Sequence, residues 1–278
     1  KENITKISAV HVVAKSEQSE MNKHLSIPLE KMTVIPHGIN HGLFKPPLNK
    51  EKTREEILSK FKLPISKYFV HVGEYNWVRK NYLRLFDAYA EARKLGLKHQ
   101  LIFVGKYANH IKKTGEQIQG IKFLGWVSDS HLANLLQGAD AFLLPSIHEG
   151  FGMPLVEAMA CGVPCITSDR HAPPEVVGDA GLLVDPYDVS DIANKMIEIS
   201  DVDTLQTLSK RALQKSQDYS WKINAAKILE LYEKHTKFTG KWNFENEYEM
   251  AAFRTLSTTC LLFANEKREI FIQSLLRF

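Results

Sequence analysis

Cysteine is scarce in this sequence, with only Cys161, Cys165 and Cys260 among 278 residues. So few thiols, odd in number, build no disulfide framework and point to reduced cysteines in a cytosolic compartment, where they read as small buried apolar side chains. No run approaches the about 20 apolar residues that span a bilayer, and the N-terminus lacks the charged-then-apolar pattern of a secretory signal. Charge of one sign is missing too. Lys and Arg total 36 against 32 Asp and Glu, a net +4 with no basic run. That is too scattered for a nucleic-acid groove, though sufficient to help hold an anionic ligand. The absence of any Gly-Lys-Ser/Thr phosphate loop argues against a Walker-type nucleotidase, and no histidines fall at zinc-like spacing. There are no internal repeats. The chain starts at Lys1 rather than at methionine, so it reads as a fragment or a processed product.

What is present is a globular α/β pattern. From Lys67 to about Val184, short β-branched and aromatic runs (Tyr68–Val72, Gln100–Val104, Ile121–Leu124, Ala141–Leu144, Val163–Thr167 and Gly181–Val184) alternate with helix-period segments, one of them marked by a stripe of Leu83, Phe86, Tyr89 and Ala90. Such alternation predicts a doubly wound parallel sheet, Rossmann-like, because parallel strands need long crossovers. Gly73, Gly105, Gly125 and Pro145 end strands, at the carboxyl edge where open α/β sheets bind ligands. Ahead of this domain, Val10–Ala14 predicts a strand followed by a polar helix through Leu25, and Val34 to Pro47 suits a linker. Helices are expected over Ile192–Ile199, Leu205–Leu213 and Trp221–Tyr232. Beyond Lys237, Trp242 and Phe244 precede Phe253, Leu256, Cys260 and Phe263 at helical spacing. A sided tail helix of this kind packs on the domain, docks a partner or makes peripheral membrane contact.

The stretch from Pro145 to Pro164, PSIHEGFGMPLVEAMACGVP, carries the most chemistry. It leaves a strand, passes a Gly150-Phe151-Gly152 loop and enters a helix with Pro154 in its first turn. A turn of this form presents backbone amides and a helix dipole to an anion such as a diphosphate. Glu149 in the loop and Glu157 in the helix would repel phosphates, so they make sense facing the hydroxyls of a sugar or a ribose. A dinucleotide fingerprint is disfavoured, because Leu155 stands where its third glycine belongs. At the end of an earlier strand, Arg79 and Lys80 place two cations on the same edge, where they could neutralise a diphosphate and steady the charge that builds on it as a bond breaks. Asp201-Val202-Asp203 precedes a helical stretch and reads as an N-cap rather than a metal site.

Together these residues resemble the C-terminal, donor-binding domain of the family 4 retaining glycosyltransferases of the GT-B fold. The likeness runs through Glu149 to Glu157 and Arg79-Lys80-Asn81, through PEVVGDAG from Pro174, through Tyr219-Ser220-Trp221, and through EKMTVIPHGIN from Glu30, covering about residues 7–235. The resemblance implies transfer of a hexose, with retention of configuration, from a nucleotide-diphosphate sugar carrying uridine or guanosine, and no metal at the diphosphate. It implies that Glu149 contacts donor-sugar hydroxyls, Arg79 and Lys80 hold the diphosphate, and Glu157 takes the ribose. It also implies that the backbone of Gly150, Phe151, Gly152, Met153, Pro154 and Leu155 lines sugar and phosphates, with the base near the loops after Gly73, Gly105 and Gly125, beside Trp126 and Val127. Residues 1–35 would be the remnant of an acceptor domain, 36–66 a linker and entry helix, 67–236 the donor domain and 237–278 an unassigned helical tail. The acceptor domain would then lie on a missing segment or on a partner chain. Glu74 departs from the arginine common in the family at that place. A non-catalytic nucleotide-sugar binding module acting with a partner chain is the alternative.

Overall fold

The structure is a computed structural model and describes residues 8–74 and 78–235; the tail residues from Trp242 to Phe263 named above lie outside the described residues. In chain order the elements begin β1 (Val10–Val12), α1 (Lys15–Leu25), β2 (Met32–Val34), α2 (Lys50–Lys60), β3 (Tyr68–Gly73), α3 (Tyr82–Lys94) and β4 (Gln100–Gly105). They continue as α4 (Asn109–Glu116), β5 (Ile121–Gly125), α5 (Asp129–Gly138), β6 (Ala141–Leu144), α6 (Met153–Ala160) and β7 (Cys165–Ser168). The last are α7 (Pro173–Val177), β8 (Gly181–Val184), α8 (Val189–Glu198), α9 (Val202–Ser216) and α10 (Trp221–His235).

Contacts divide the described chain into two compact units, residues 39–218 and residues 8–38 together with 219–235. In the smaller unit β1 and β2 pair in parallel, Val10 opposite Met32, over a core of Val10, Val12, Ile27 and Met32. The sequence pattern put Val34 in a linker; it ends a strand instead, one whose three residues are too few to show a period. Helix α10 belongs to this unit. Ile228 packs on Ile35, and the Asn224 amide donates to the Pro36 carbonyl at 2.7 Å.

The larger unit is built on one sheet ordered β5-β4-β3-β6-β7-β8, with every neighbouring pair parallel. Counted from β3, that is the Rossmann order 3-2-1-4-5-6. The order reverses between β3 and β6. Because side chains alternate along a strand, Phe69, Leu101, Phe103 and Leu143 face α3 and α8 in the main core. Residues of opposite parity face the other layer, where the Tyr68 hydroxyl donates to Leu135 of α5 and the Cys165 thiol lies against the Leu155 carbonyl of α6. Sheets covered on both faces need strands apolar throughout, hence the near-continuous runs. On α3 the buried stripe is Tyr82, Leu85, Phe86 and Tyr89, whereas Leu83 is exposed and Ala90 only half-buried. Phe86 and Tyr89 thus hold as expected while Tyr82 and Leu85 replace Leu83 and Ala90, and each of these buried side chains contributes roughly 1.5–3 kcal/mol. At the amino edge, Arg54 of α2 reaches Asp140 at 2.6 Å and the Gly138 carbonyl at 2.8 Å, fastening α2 beneath the sheet.

Candidate functional site

The point where the strand order reverses is also where two chain segments lock together. One is the turn of Val78 to Asn81 that follows β3 and starts α3; the other is Pro145 to Glu149, which follows β6. Ile147 N–H donates to the Arg79 carbonyl at 2.8 Å. The Arg79 guanidinium returns two bonds, to the His148 carbonyl at 3.1 Å and to Glu149 Oε2 at 2.9 Å. Lys80 Nζ donates to the other carboxylate oxygen, Glu149 Oε1, at 2.7 Å. Asn81 completes the seam by donating from Nδ2 to the Pro145 carbonyl at 3.0 Å. Lys80, Asn81 and Glu149 are buried, while the Arg79 side chain stays partly exposed.

Burial alone would push the Glu149 carboxyl up. The Lys80 ammonium and its hydrogen bond, with Arg79 beside them, more than offset this and hold it below the ordinary carboxylate value. Glu149 is therefore ionised and charge-compensated from two sides. For Glu157, one turn into α6, no cation among the described residues offsets burial, which with Asp129 nearby pushes it up to about 7. The two glutamates are thus tuned apart, one fixed as an anion and one poised to exchange a proton. On β3, within reach of the Lys80 charge, His71 is fully buried and pushed down to about 3 by burial and by Lys80. The ring is neutral, so the nitrogen 2.7 Å from the Leu143 carbonyl, Nδ1, is its donor.

Glycine geometry shapes the rest of the edge. Gly73 and Gly105 lie opposite each other on β3 and β4. At Gly105, φ is +128° and a Cβ would stand 1.8 Å from the Gly73 carbonyl oxygen, so only glycine fits. Gly152, at φ +88°, turns the chain into α6 with Pro154 in the first turn, as the spacing predicts. The expected amide cradle narrows at its far end. Pro154 has no N–H, and the Leu155 N–H is already bonded to the Gly152 carbonyl at 2.8 Å, with the Leu155 side chain in the core. Of the remaining expected residues, Gly150 is exposed, Phe151 is buried and Met153 is half-buried. Trp126 is 69% exposed beyond β5, and Val127 after it is half-buried. Arg79, Lys80 and Glu149 are therefore brought into direct contact, and Gly73 and Gly105 are neighbours. Asp201 caps α9, accepting from Thr204 N–H at 2.9 Å. Two contributors had no role assigned from the sequence, His71 and Asn81, although Asn81 stood in the Arg79-Lys80-Asn81 motif. Asn81 offered a signal, since asparagine is one of the few residues apart from glycine that enter the left-handed region readily.

Residues 66–201 match the profile of the family described as glycosyl transferases group 1. Among curated proteins, the chain is similar to O-antigen chain mannosyltransferase B of Escherichia coli, 35% identical over 191 residues, covering 62% of this chain and 49% of that protein. It is also similar to UDP-Gal:alpha-D-GlcNAc-diphosphoundecaprenol alpha-1,3-galactosyltransferase of Escherichia coli, 31% identical over 207 residues, or 69% of this chain and 51% of that one. The chain spans about half the length of the curated relatives it matches. Among solved structures, a glycosyltransferase from Rickettsia africae superposes with a TM-score of 0.72 at 22% identity, over 82% of this chain and 64% of that one. Anabaena Alr3699/HepE in complex with UDP-glucose gives 0.70 at 22% identity, over 81% and 64%. These last two likenesses speak to the fold. Residues 66–201 thus match the group 1 glycosyl transferase family, and the chain as a whole is similar over about half their length to curated glycosyltransferases.

Proposed function

We propose that this chain binds a nucleoside diphosphate sugar at the carboxyl edge of its six-stranded sheet and supplies the donor half, the C-terminal half of a GT-B architecture, of a retaining hexosyltransferase. The observation that carries this reading is the Glu149 carboxylate held between Lys80 at 2.7 Å and Arg79 at 2.9 Å, where the strand order reverses. A buried anion with two cations is a charge-balanced unit into which a diphosphate can insert. The cations turn from carboxylate to phosphate oxygens, and Glu149 is released to accept hydrogen bonds from sugar hydroxyls. When the bond from the sugar to the diphosphate breaks, its electron pair leaves with the nucleoside diphosphate, and Arg79 and Lys80 stabilise that charge in place of a metal ion. Glu157 accepts from the ribose diol, the backbone ahead of Pro154 faces sugar and phosphates, and the base lies by Gly105, Trp126 and Val127. The mannosyl- and galactosyltransferase relatives support a hexose. The acceptor site would come from a further domain or a partner chain.

Thermal-shift measurements against UDP- and GDP-hexoses test the reading, because a ligand that binds the folded state raises its stability. One of the two classes is expected to raise the transition, and calorimetry is expected to show weaker binding in Glu149→Ala and in Lys80→Ala. Unaltered affinity in both variants would sink the assignment. Binding of a donor sugar without any turnover, together with co-purification of a second chain, would instead favour a non-catalytic nucleotide-sugar module.

A further inference from the structure

Asn81 sits in the left-handed region, φ +60° and ψ +36°, as the residue before α3. An asparagine there usually caps the helix with its side-chain oxygen, but this one makes no cap bond. Its side chain is buried and every polar atom is spent elsewhere. Nδ2 donates both hydrogens, to the Pro145 carbonyl beyond β6 and to the Pro186 carbonyl beyond β8. Oδ1 accepts from Arg84 at 3.1 Å. Two acceptors on one side and a donor on the other allow only this amide orientation, so the side chain cannot turn without stranding a buried group. The residue before it in sequence is Lys80, and Pro145 begins the segment that ends in Glu149. The turn carrying the cations is thereby fixed to the segment carrying the carboxylate at both ends, by Asn81 to Pro145 and by Ile147 N–H to the Arg79 carbonyl.

We infer that Asn81 is a positioning residue: through its two carbonyl bonds it sets the Arg79 and Lys80 cations against Glu149, and thereby tunes the affinity of the site for a diphosphate. The diphosphate part rests on the donor-site reading; the part concerning Glu149 does not. Glycine at position 81 would keep the left-handed backbone at no steric cost while deleting both bonds. Asn81→Gly therefore separates positioning from backbone conformation.

Two measurements on the full chain test this. In the first, the Glu149 carboxyl is titrated by carbon-13 NMR, with its resonance assigned from Glu149→Gln. Asn81→Gly is expected to raise the Glu149 pKa by about one unit, because its cations lose their fixed distance. In the second, Kd is measured for UDP, GDP, UMP and GMP. Asn81→Gly is expected to weaken the diphosphate that wild type binds by about tenfold and its monophosphate by less than about twofold. A merely structural role would lower the melting temperature and weaken both nucleotides alike. Arg84→Ala removes the donor to Oδ1, together with the guanidinium contact on the Tyr187 ring, from a partly exposed position while leaving both carbonyl bonds of Asn81, and is expected to move both readouts the same way by less. An unchanged Glu149 pKa in both variants overturns the inference. If wild type binds neither UDP nor GDP, the donor-site reading fails and the NMR titration alone decides the role of Asn81.

Discussion

Lys80 Nζ stands 2.7 Å from Glu149 Oε1, joining residues 69 positions apart across the reversal point of a parallel sheet. Both side chains are buried, and Arg79 adds a second cation from the solvent side. Pairing of this kind has a measurable signature in stability, because a carboxylate left behind in a buried position keeps its desolvation cost and loses its compensation.

Lys80→Ala is expected to destabilise the protein by about 2–3 kcal/mol near neutral pH, somewhat less than the loss of a sole buried partner because Arg79 remains. The sign of the pH dependence follows from the lowered Glu149 pKa. A carboxyl depressed in the folded state contributes stability above its unfolded pKa, and that contribution disappears as pH falls through the folded value. Urea denaturation of wild type and variant should thus converge as pH falls below the ordinary carboxylate range. A gap that persists in acid would trace the loss to packing of the lysine stem.

Glu157→Gln is expected to behave in the opposite way. Its carboxyl is raised to about 7, so between its unfolded value and about 7 the folded state binds the extra proton and stability falls as pH rises. The variant should gain up to about 3 kcal/mol over wild type at pH 8, about 1 kcal/mol at pH 5 and almost nothing below about pH 4. Should a ribose diol donate to the Glu157 carboxylate, donor binding will release a proton and tighten as pH rises from about 6 to 8. Calorimetry in buffers of different ionisation enthalpy reads that proton directly.

Two glycines with positive φ separate steric exclusion from backbone preference. Gly105→Ala drives a methyl into the Gly73 carbonyl and is expected to cost about 3 kcal/mol or more. Gly125→Ala, at φ +70° with open space around it, should cost only about 1–2 kcal/mol, the left-handed penalty. Equal losses in thermal denaturation would refute the close approach of the β3 and β4 ends.

Trp126→Ala tests the base-facing loop. At 69% exposure the ring contributes little to the core, so stability should stay within about 0.5 kcal/mol of wild type. Stacking against a base is worth about 1–3 kcal/mol, so nucleotide affinity should drop at least fivefold. Unchanged affinity would remove Trp126 from the site.

Much of the sheet was legible because burial on both faces forces strands such as Gln100–Gly105 to be apolar throughout, and because Gly73, Gly105 and Gly125 punctuate their ends. The motif from Glu149 to Glu157 was legible for a local reason: a strand, a glycine turn and a helix start fall within a few residues. Contacts decided by the sheet were not. Nothing in a linear pattern brings Arg79 and Lys80 onto Glu149, since that depends on which side of β3 the strand β6 takes. The face of α3 was read in part: Phe86 and Tyr89 are buried as expected, but Tyr82, Leu83, Leu85 and Phe86 are all apolar, and only packing against α8 shows that Leu83 is the one left exposed. Strand β2, with three residues, fell below any period. The amide of Leu155 looked available in a sequence that cannot show its bond to Gly152.

Strand order also sets the sequence of events when the chain folds. Strand β3 meets β4 after a single crossover, but meets β6 only once α3, β4, α4, β5 and α5 lie between them. Closing that longer loop carries the larger entropic cost, and pairings of high sequence separation form slowly. Strands β3, β4 and β5 can therefore assemble while β6 is still emerging from a ribosome. The two halves of the site meet only when β6 docks on β3 across the centre of the sheet. Contact between Lys80 and Glu149 accordingly reports the docking of β6 on β3, and its absence marks chains in which that central pairing has not formed, whatever the state of β7 and β8.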